Sequence, residues 1–528
     1  MDRRQFLTGL ALVGVTAACA KDPEDARDRD RSGDGRAVTA ATPASARLPT
    51  GIFALGVASG DPLSDRVMLW TRRASAPPQA GGGAPDGDVE VAYDVATDEA
   101  FEHLVVSGIA TATAALGHSV HVDVSGLEPD TWYHYRFRAG DQTSPVGRTR
   151  TFPEADATPD RFRFVFASCQ DYQWGHYGAW GRAVEQPDLD AIVFLGDYIY
   201  ELNLGDLSPD QTGDRVWAGP APTTLDDYRM RYAQTKADPQ LQAAHHLVPW
   251  IVTFDDHEVG NNYAGDVGQL DVDQPRSRDR RLAAYQAWYE HTPIRIEPEP
   301  EDFADLRVHR DATFGSLARI FTIETRQHAD PPPCRTEGSL LSDDGPLCDE
   351  AADTTNLGDE QERWLLDGLA GSTATWNVLA NPLMLAGLNT GTVEAPAFTR
   401  DTWDGYPSVR SRLLATITEA EVSNPVVVTG DWHANFVLDV KPEPDAPTVM
   451  PEFLVGSIST ISFPADHRAA NPHVRYFDPE HGFALVEITP EALQCEFHLV
   501  EDVWDPDTPV ARVDRFRVKA GEREATAV

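Results

Sequence analysis

The sequence predicts a layered α/β body preceded by a small β-sandwich. Short apolar, β-rich runs recur after about residue 160: Ala191-Ile192-Val193-Phe194-Leu195, Trp250-Ile251-Val252-Thr253-Phe254 and Val426-Val427-Val428-Thr429. Runs of that kind suit strands covered on both faces. Helical stretches such as Leu282 to His291 and Gly358 to Leu369 alternate with them, as in a layered α/β domain. Upstream, Val67 to Trp70, Val89 to Val95, Ser119 to Val124 and Trp132 to Phe137 are short strands separated by turn residues, the spacing of a sandwich.

The chain begins with an Arg pair, Arg3-Arg4, directly before an apolar run from Leu7 to Val15, which is the layout of a twin-arginine export signal over residues 1–19. That run is too short to span a bilayer, which takes roughly 20 apolar residues. It ends in Thr16-Ala17-Ala18-Cys19, similar to a lipoprotein cleavage box, although Thr16 stands where such boxes usually carry Leu. Either a lipidated Cys19 tethers the exported chain to a membrane, or cleavage nearby discards it. Residues 20–48 are rich in Asp, Arg, Ala and Ser with almost no large apolar groups, a composition that cannot order itself.

The sandwich is expected over 49–155, the α/β body over 160–510, and a tail over 511–528. Within the sandwich, the segment from Gly126 to Tyr135 looks like a fibronectin-type corner, where a Tyr hydroxyl ties a strand to the preceding turn. Leu204 to Pro222 and His328 to Glu350 read as long polar loops, which in compact domains often form functional walls. Cys334 and Cys348 bracket part of the second loop and are the natural disulfide pair in an exported chain. Cys495 reads as a buried strand residue, whereas Cys169 closes the run Phe162 to Ser168 and belongs at a strand end.

Length and charge narrow the functions. At 528 residues the chain exceeds the usual single domain, and 41% hydrophobic with 9% aromatic residues supports a globular body. The net charge of -40 argues against a nucleic-acid or anionic-membrane surface, either of which needs clustered Lys and Arg. A phosphate-bearing substrate would then need metal ions, with nucleic acid entering only as a substrate. Lysine occurs only at Lys21, Lys236, Lys441 and Lys519, so a Walker loop has no support, and no Gly-x-Ser-x-Gly elbow is present.

Metal-ligand residues follow the strand runs. Asp197 and Tyr200 can place two oxygens on one ion, and a phenol with a free pKa of roughly 10 gives up its proton readily only to a strongly Lewis-acidic metal such as ferric iron. Alone, Gly196-Asp197 is also an ordinary turn signal. Cys169 gains meaning beside them, because a thiolate suits iron. Three acids flank one imidazole in Asp255-Asp256-His257-Glu258, a crowding that is costly unless cations offset it. His257 could protonate a leaving oxygen, with Glu258 or Asp255 fixing its tautomer. Asp431 and His433 alternate along an extended segment and face the same side. Arg326 is a candidate for bidentate phosphate recognition, or an ordinary salt-bridge residue.

The segments Gly56 to Pro62, Leu69 to Arg72, Ser168-Cys169, Gly196 to Tyr200, Asp255 to Asn262, Trp376 to Leu379, Trp403 to Pro407, Gly430 to His433 and Asn471 to His473 together resemble the PhoD-type alkaline phosphatases. These are a branch of the calcineurin-like metallophosphatases, and the resemblance spans nearly the whole mature chain. It implies a fibronectin-like β-sandwich followed by a metallophosphoesterase β-sandwich flanked by helices. It also implies an exported phosphomonoesterase and phosphodiesterase active at alkaline pH, scavenging phosphate from small organic esters and diesters. The implied cofactors are a ferric ion and calcium. Asp197 would bridge the metals, with Cys169, Tyr200 and His433 on the iron side and Asp256 and Asp431 on the other. A metal-bound hydroxide would attack phosphorus in line while His257 assists the departing alkoxide. A phospholipase or extracellular nuclease built on the same site is the alternative. A non-catalytic surface protein is disfavoured because every principal ligand position is filled. The twin-arginine machinery is the partner implied, with no other protein. Glu324 stands where the family usually has Asp, His328-Ala329 replaces an aromatic and basic pair, and Gly260 replaces an acid.

Overall fold

A computed structural model of the chain describes residues 51–76, 80–84, 86–203, 215–267, 277–296, 302–331, 344–346 and 354–528. The expected export signal, Cys19, the 20–48 linker, the Cys334 and Cys348 pair and most of the two long loops lie outside the described residues.

Two large sheets pack face to face. In the first, Phe162–Gln170, Ala191–Phe194 and Trp250–Val252 run parallel, with Val165 opposite Ile192 and Ile192 opposite Trp250. In the second, Ala318–Thr322, Trp376–Asn381, Pro425–Thr429 and Met450–Leu454 run parallel. Phe164, Phe166, Val193 and Leu195 meet Ile320, Val378, Val426 and Val428 in the core between the sheets. Their neighbours along the same strands, Val165, Ala167, Ile192 and Phe194, point the other way, against Trp180, Tyr228, Tyr232, Leu241 and Trp288 of four helices: Gly178–Ala183, Leu225–Lys236, Pro239–Leu247 and Ser277–His291. On the far side, Phe321, Leu379 and Val427 pack on Leu365 and Leu369 of Gly358–Ala370 and on Val409 and Leu413 of Pro407–Glu419. Successive strand side chains enter opposite cores, and both cores are apolar, so the strands read as unbroken apolar runs. Parallel pairing also brings their C-terminal ends to one rim.

The N-terminal sandwich shares a sheet with this body. Val57–Gly60, Arg66–Arg72 and Ser119–Ser125 extend the first sheet, Gly60 pairing in parallel with Trp250. Their other face packs on a five-stranded sheet built around Val89–Ala96 and Trp132–Ala139, with Val67, Leu69, Val91, Val95, Val122, Tyr135 and Phe137 between. Leu104–Ala112, not anticipated as a strand, is the outer edge of that second sheet. The expected tail is a strand as well: Val510–Lys519 pairs along Ala492–Val500 and buries Phe516 and Val518 in the central core. Among the described residues no helix is long and apolar enough to cross a membrane.

The corner expected near Tyr133 forms. Its hydroxyl accepts a 2.9 Å hydrogen bond from the Glu128 amide, and its ring is buried. Tyr133→Phe is expected to leave that amide without its partner and to cost about 1–3 kcal/mol of stability. Equilibrium denaturation measures this, and an unchanged midpoint would contradict it.

Candidate metal centre

Every candidate ligand sits where a strand stops. Cys169 closes Phe162–Gln170, Asp197 follows Ala191–Phe194, Asp255 and Asp256 follow Trp250–Val252, and Asp431 and His433 follow Pro425–Thr429. Cys169, Asp197, Asp431 and His433 all hold left-handed backbone, with φ of 59°, 58°, 67° and 51°. L-residues other than Asn and Asp seldom adopt it, and such strain collects at functional sites. Surrounding contacts hold it in place: the Cys169 amide donates to the Gly196 carbonyl at 3.1 Å, and the Gln170 amide to that of Asp197 at 3.0 Å. Gly196, at φ 105°, lets the loops touch, because a Cβ there would lie 2.6 Å from the Asp255 amide nitrogen.

The side chains form three overlapping groups whose ligand atoms lie within 4.8 Å of one another: Cys169, Asp197 and His433; Asp197, Asp256 and His257; Asp255, Asp256 and Asp431. Asp197 belongs to the first two and Asp256 to the last two. The Tyr200 hydroxyl donates to Asp197 Oδ2 at 2.9 Å and lies 3.1 Å from His433 Nε2, which places the phenol in the first group. All six expected ligands therefore meet at one rim.

One expected role changes, and one left open takes a definite form. His257 Nδ1 faces Glu201 Oε2 at 2.7 Å, so Glu201 orients the imidazole, rather than Glu258 or Asp255. Glu258 instead accepts from the amides of Asp197 at 3.0 Å, Tyr198 at 2.6 Å and Asp255 at 2.9 Å, joining two ligand loops. Of the two roles open to Arg326, this geometry shows the salt bridge. Its buried guanidinium donates to Asp255 at 2.6 Å and Asp401 at 2.8 Å, with Asp256 3.7 Å away. Glu324 accepts from the amides of Arg326 and Gln327 and so shapes the turn that presents this arginine.

Electrostatics show what the pocket needs. Burial pushes Asp197 and Asp431 far above the usual carboxylate range, helped by neighbouring acids, and lifts Asp255 to about 7 and Glu258 to about 8. At Asp256 burial acts the same way, but His257 and Arg326 outweigh it and hold the carboxyl low. Burial opposes charge on His257 as well, yet Asp256, Glu201 and Asp197 drive its pKa well up. Burial likewise raises the Cys169 thiol and the Tyr200 phenol. Protein groups alone leave Asp197, Asp255 and Asp431 favouring protons, a preference that bound cations reverse. Asp255 Oδ2 and Asp256 Oδ1 are buried without a hydrogen-bond partner, a costly state that a metal ion removes. The donor set fits two unlike ions: thiol, phenol and imidazole beside Asp197, and the three carboxylates of Asp255, Asp256 and Asp431.

Sequence inspection missed Glu201 and Asp401. Glu201 directly follows Tyr200, and its adjacency to a ligand segment was the available signal. Asp401 carries none, because it meets Arg326 across 75 residues.

A helix-flanked double-sheet sandwich with carboxylates shared between metal-ligand groups at one rim defines a metallophosphatase. The chain belongs to the PhoD-like phosphatase family, which matches residues 164–497, while that family's N-terminal domain matches 38–153. Alkaline phosphatase D of Bacillus subtilis (strain 168) is 40% identical over 473 residues, spanning 87% of this chain and 79% of that protein. The solved structure of PhoD is similar with a TM-score of 0.84 at 37% identity, covering 91% of this chain and 92% of its own. The chain is thus a phosphatase-type hydrolase of a metal-dependent family.

Glu201→Gln is expected to retain the metals and lower phosphate-ester hydrolysis roughly 10–100-fold, the usual cost of losing a group that orients a site imidazole. Wild-type rates in that variant would contradict the assignment. Gly196→Ala is expected to lose bound metal, since the added Cβ drives the Asp197 and Asp255 loops apart; metal analysis of the purified variant checks it.

Proposed function

We propose that this chain is an exported alkaline phosphatase and phosphodiesterase that uses a ferric ion and calcium to release phosphate from small organic esters. The observation that carries this is the asymmetry of the donor set. Cys169, Tyr200 and His433 beside Asp197 suit ferric iron, whereas the all-carboxylate group of Asp255, Asp256 and Asp431 suits calcium. When bound, such ions supply an activated water at mild pH and neutralise charge on the phosphoryl oxygens.

The remaining chemistry is assigned to the chain. Glu201 accepts from His257 Nδ1, which turns Nε2 toward the shared carboxylates, 4.0 Å from Asp256 Oδ2. From there Nε2 delivers a proton to the departing alkoxide oxygen. Arg326 holds Asp255 and Asp401 in place and is not assigned to the phosphoryl group. Export rests on the Arg3-Arg4 signal, and a lipidated Cys19 would keep the enzyme at the cell surface. The net charge of -40 weighs against a nuclease acting on polyanionic strands.

Hydrolysis of a chromogenic phosphomonoester and its diester at alkaline pH tests the activity, with elemental analysis of protein purified without chelators. Activity on either ester with iron and calcium present is expected, and the ratio of rates sets the preference. Inactive protein after both ions are restored would overturn the proposal.

A further inference from the structure

The strands Val57–Gly60 and Arg66–Arg72 lie across the helices Leu225–Lys236, Pro239–Leu247 and Ser277–His291. Leu55, Ala58, Trp70 and Ala74 pack there on Ala233 and Ala237. This seam joins the sandwich to the body, and it holds basic groups that the metal centre does not use.

Hydrogen-bond direction settles the protonation of two of them. Arg72 Nη1 lies 2.7 Å from His291 Nε2, and a guanidinium only donates, so Nε2 accepts. His291 Nδ1 lies 2.6 Å from the Ala287 carbonyl oxygen, which only accepts, so Nδ1 carries the proton. The ring is the neutral Nδ1–H tautomer. The Val57 amide donates to His246 Nε2 at 3.3 Å, so that nitrogen is unprotonated too. Lys236 Nζ is buried 3.3 Å from His245 Nε2, a separation at which two cations would repel strongly. Around Nζ stand the rings of Trp70 at 4.3 Å and Tyr198 at 5.3 Å.

Other charges facing the seam are already matched. Glu290 pairs with Arg229 at 2.6 Å, beside Arg72, and Asp226 also meets Arg229. Asp238 pairs with Arg215. His121 stacks on Tyr289 and faces the Thr292 carbonyl, and Tyr232 stacks on His291. Among the described residues no ion pair joins a carboxylate to Lys236, His245, His246 or His291. Burial, with Lys236 nearby, lowers His245 and brings His246 to about 4, and burial with Arg72 beside it lowers His291.

We propose that this seam is a pH-sensitive latch that helps to hold the N-terminal sandwich on the body while His246 and His291 are neutral, and that acidification opens it. Opening reaches the metal centre through Tyr198, which neighbours Asp197 and whose hydroxyl lies 2.8 Å from His245 Nε2. The sign follows from linkage. These histidines bind protons more weakly folded than unfolded, where His titrates near 6.5. The stability is fully present above that unfolded value and is lost as pH falls from about 6.5 downward. Each titrating group lowers the folding constant by up to about tenfold per pH unit.

The test uses the full chain with its metals, comparing unfolding of wild type, His246→Gln and His291→Gln from about pH 9 to about pH 5. Glutamine keeps an acceptor near the Nε2 position and does not titrate. Below about pH 6.5, each glutamine variant is expected to lose folding constant less steeply than wild type, by up to about tenfold per pH unit. Wild-type slopes in both variants would overturn the proposal. Should the variants not fold, imidazole nitrogen shifts in the wild type read the tautomer directly: neutral Nδ1–H at His291 near pH 6 supports the latch, and an imidazolium there overturns it. Hydrogen exchange near pH 5 separates a latch from general acid unfolding. Val57–Gly60 and Arg66–Arg72 are expected to exchange before Phe162–Gln170, and simultaneous exchange would overturn the latch.

Discussion

Crowding of carboxylates at one rim, most of them buried, is the constraint on which the rest of this structure depends. Asp197, Asp255, Asp256 and Asp431 fall in overlapping groups with ligand atoms within 4.8 Å of one another. At an effective dielectric near 20, two unit charges that close repel by roughly 3.5 kcal/mol. Arg326 and His257 offset part of this, and the orphaned oxygens of Asp255 and Asp256 show that they do not offset all of it. The fold makes such crowding tolerable by rigidity. Parallel strands in two face-packed sheets end at one rim, and cores on both faces prevent the loops from relaxing apart.

The same logic explains the polar groups around the ligands. Glu258 takes three backbone amides and Glu324 takes two, so each fixes a loop rather than an ion. Glu201 fixes an imidazole. A carboxylate-rich site thus uses more acids to orient its acids, which contributes to the strongly negative chain and leaves the attraction of an anionic substrate to the bound cations. The N-terminal sandwich joins this frame by continuing the first sheet past Trp250, so the loop after that strand is braced from the N-terminal side as well.

Much of this was legible in the sequence because burial on both faces writes an unbroken apolar run, and a ligand placed just after such a run has few other uses. Cys169, Asp197, Tyr200, Asp431 and His433 could be picked out that way, whereas Asp256 was separated from the acids beside it only by the family resemblance. Leu104–Ala112 was not, because as an edge strand with one wet face it lacks a strong pattern. Val510–Lys519 read as a tail because charged residues alternate with the few that enter the core. The Glu201 and Asp401 contacts depend on side-chain direction across loops distant in sequence. The turn shaped by Glu324 aims Arg326 inward, and nothing local distinguishes that from an arginine facing a substrate.

The most direct test of the cation requirement is the thermal midpoint of the full-length protein before chelation, after chelation, and after iron and calcium are restored. If cations hold the carboxylates together, removing them lowers the midpoint and restoring them recovers it, because ions that bind only the folded site stabilise it by mass action. A midpoint indifferent to metal removal would mean that Arg326, His257 and bound protons suffice, and would contradict the account.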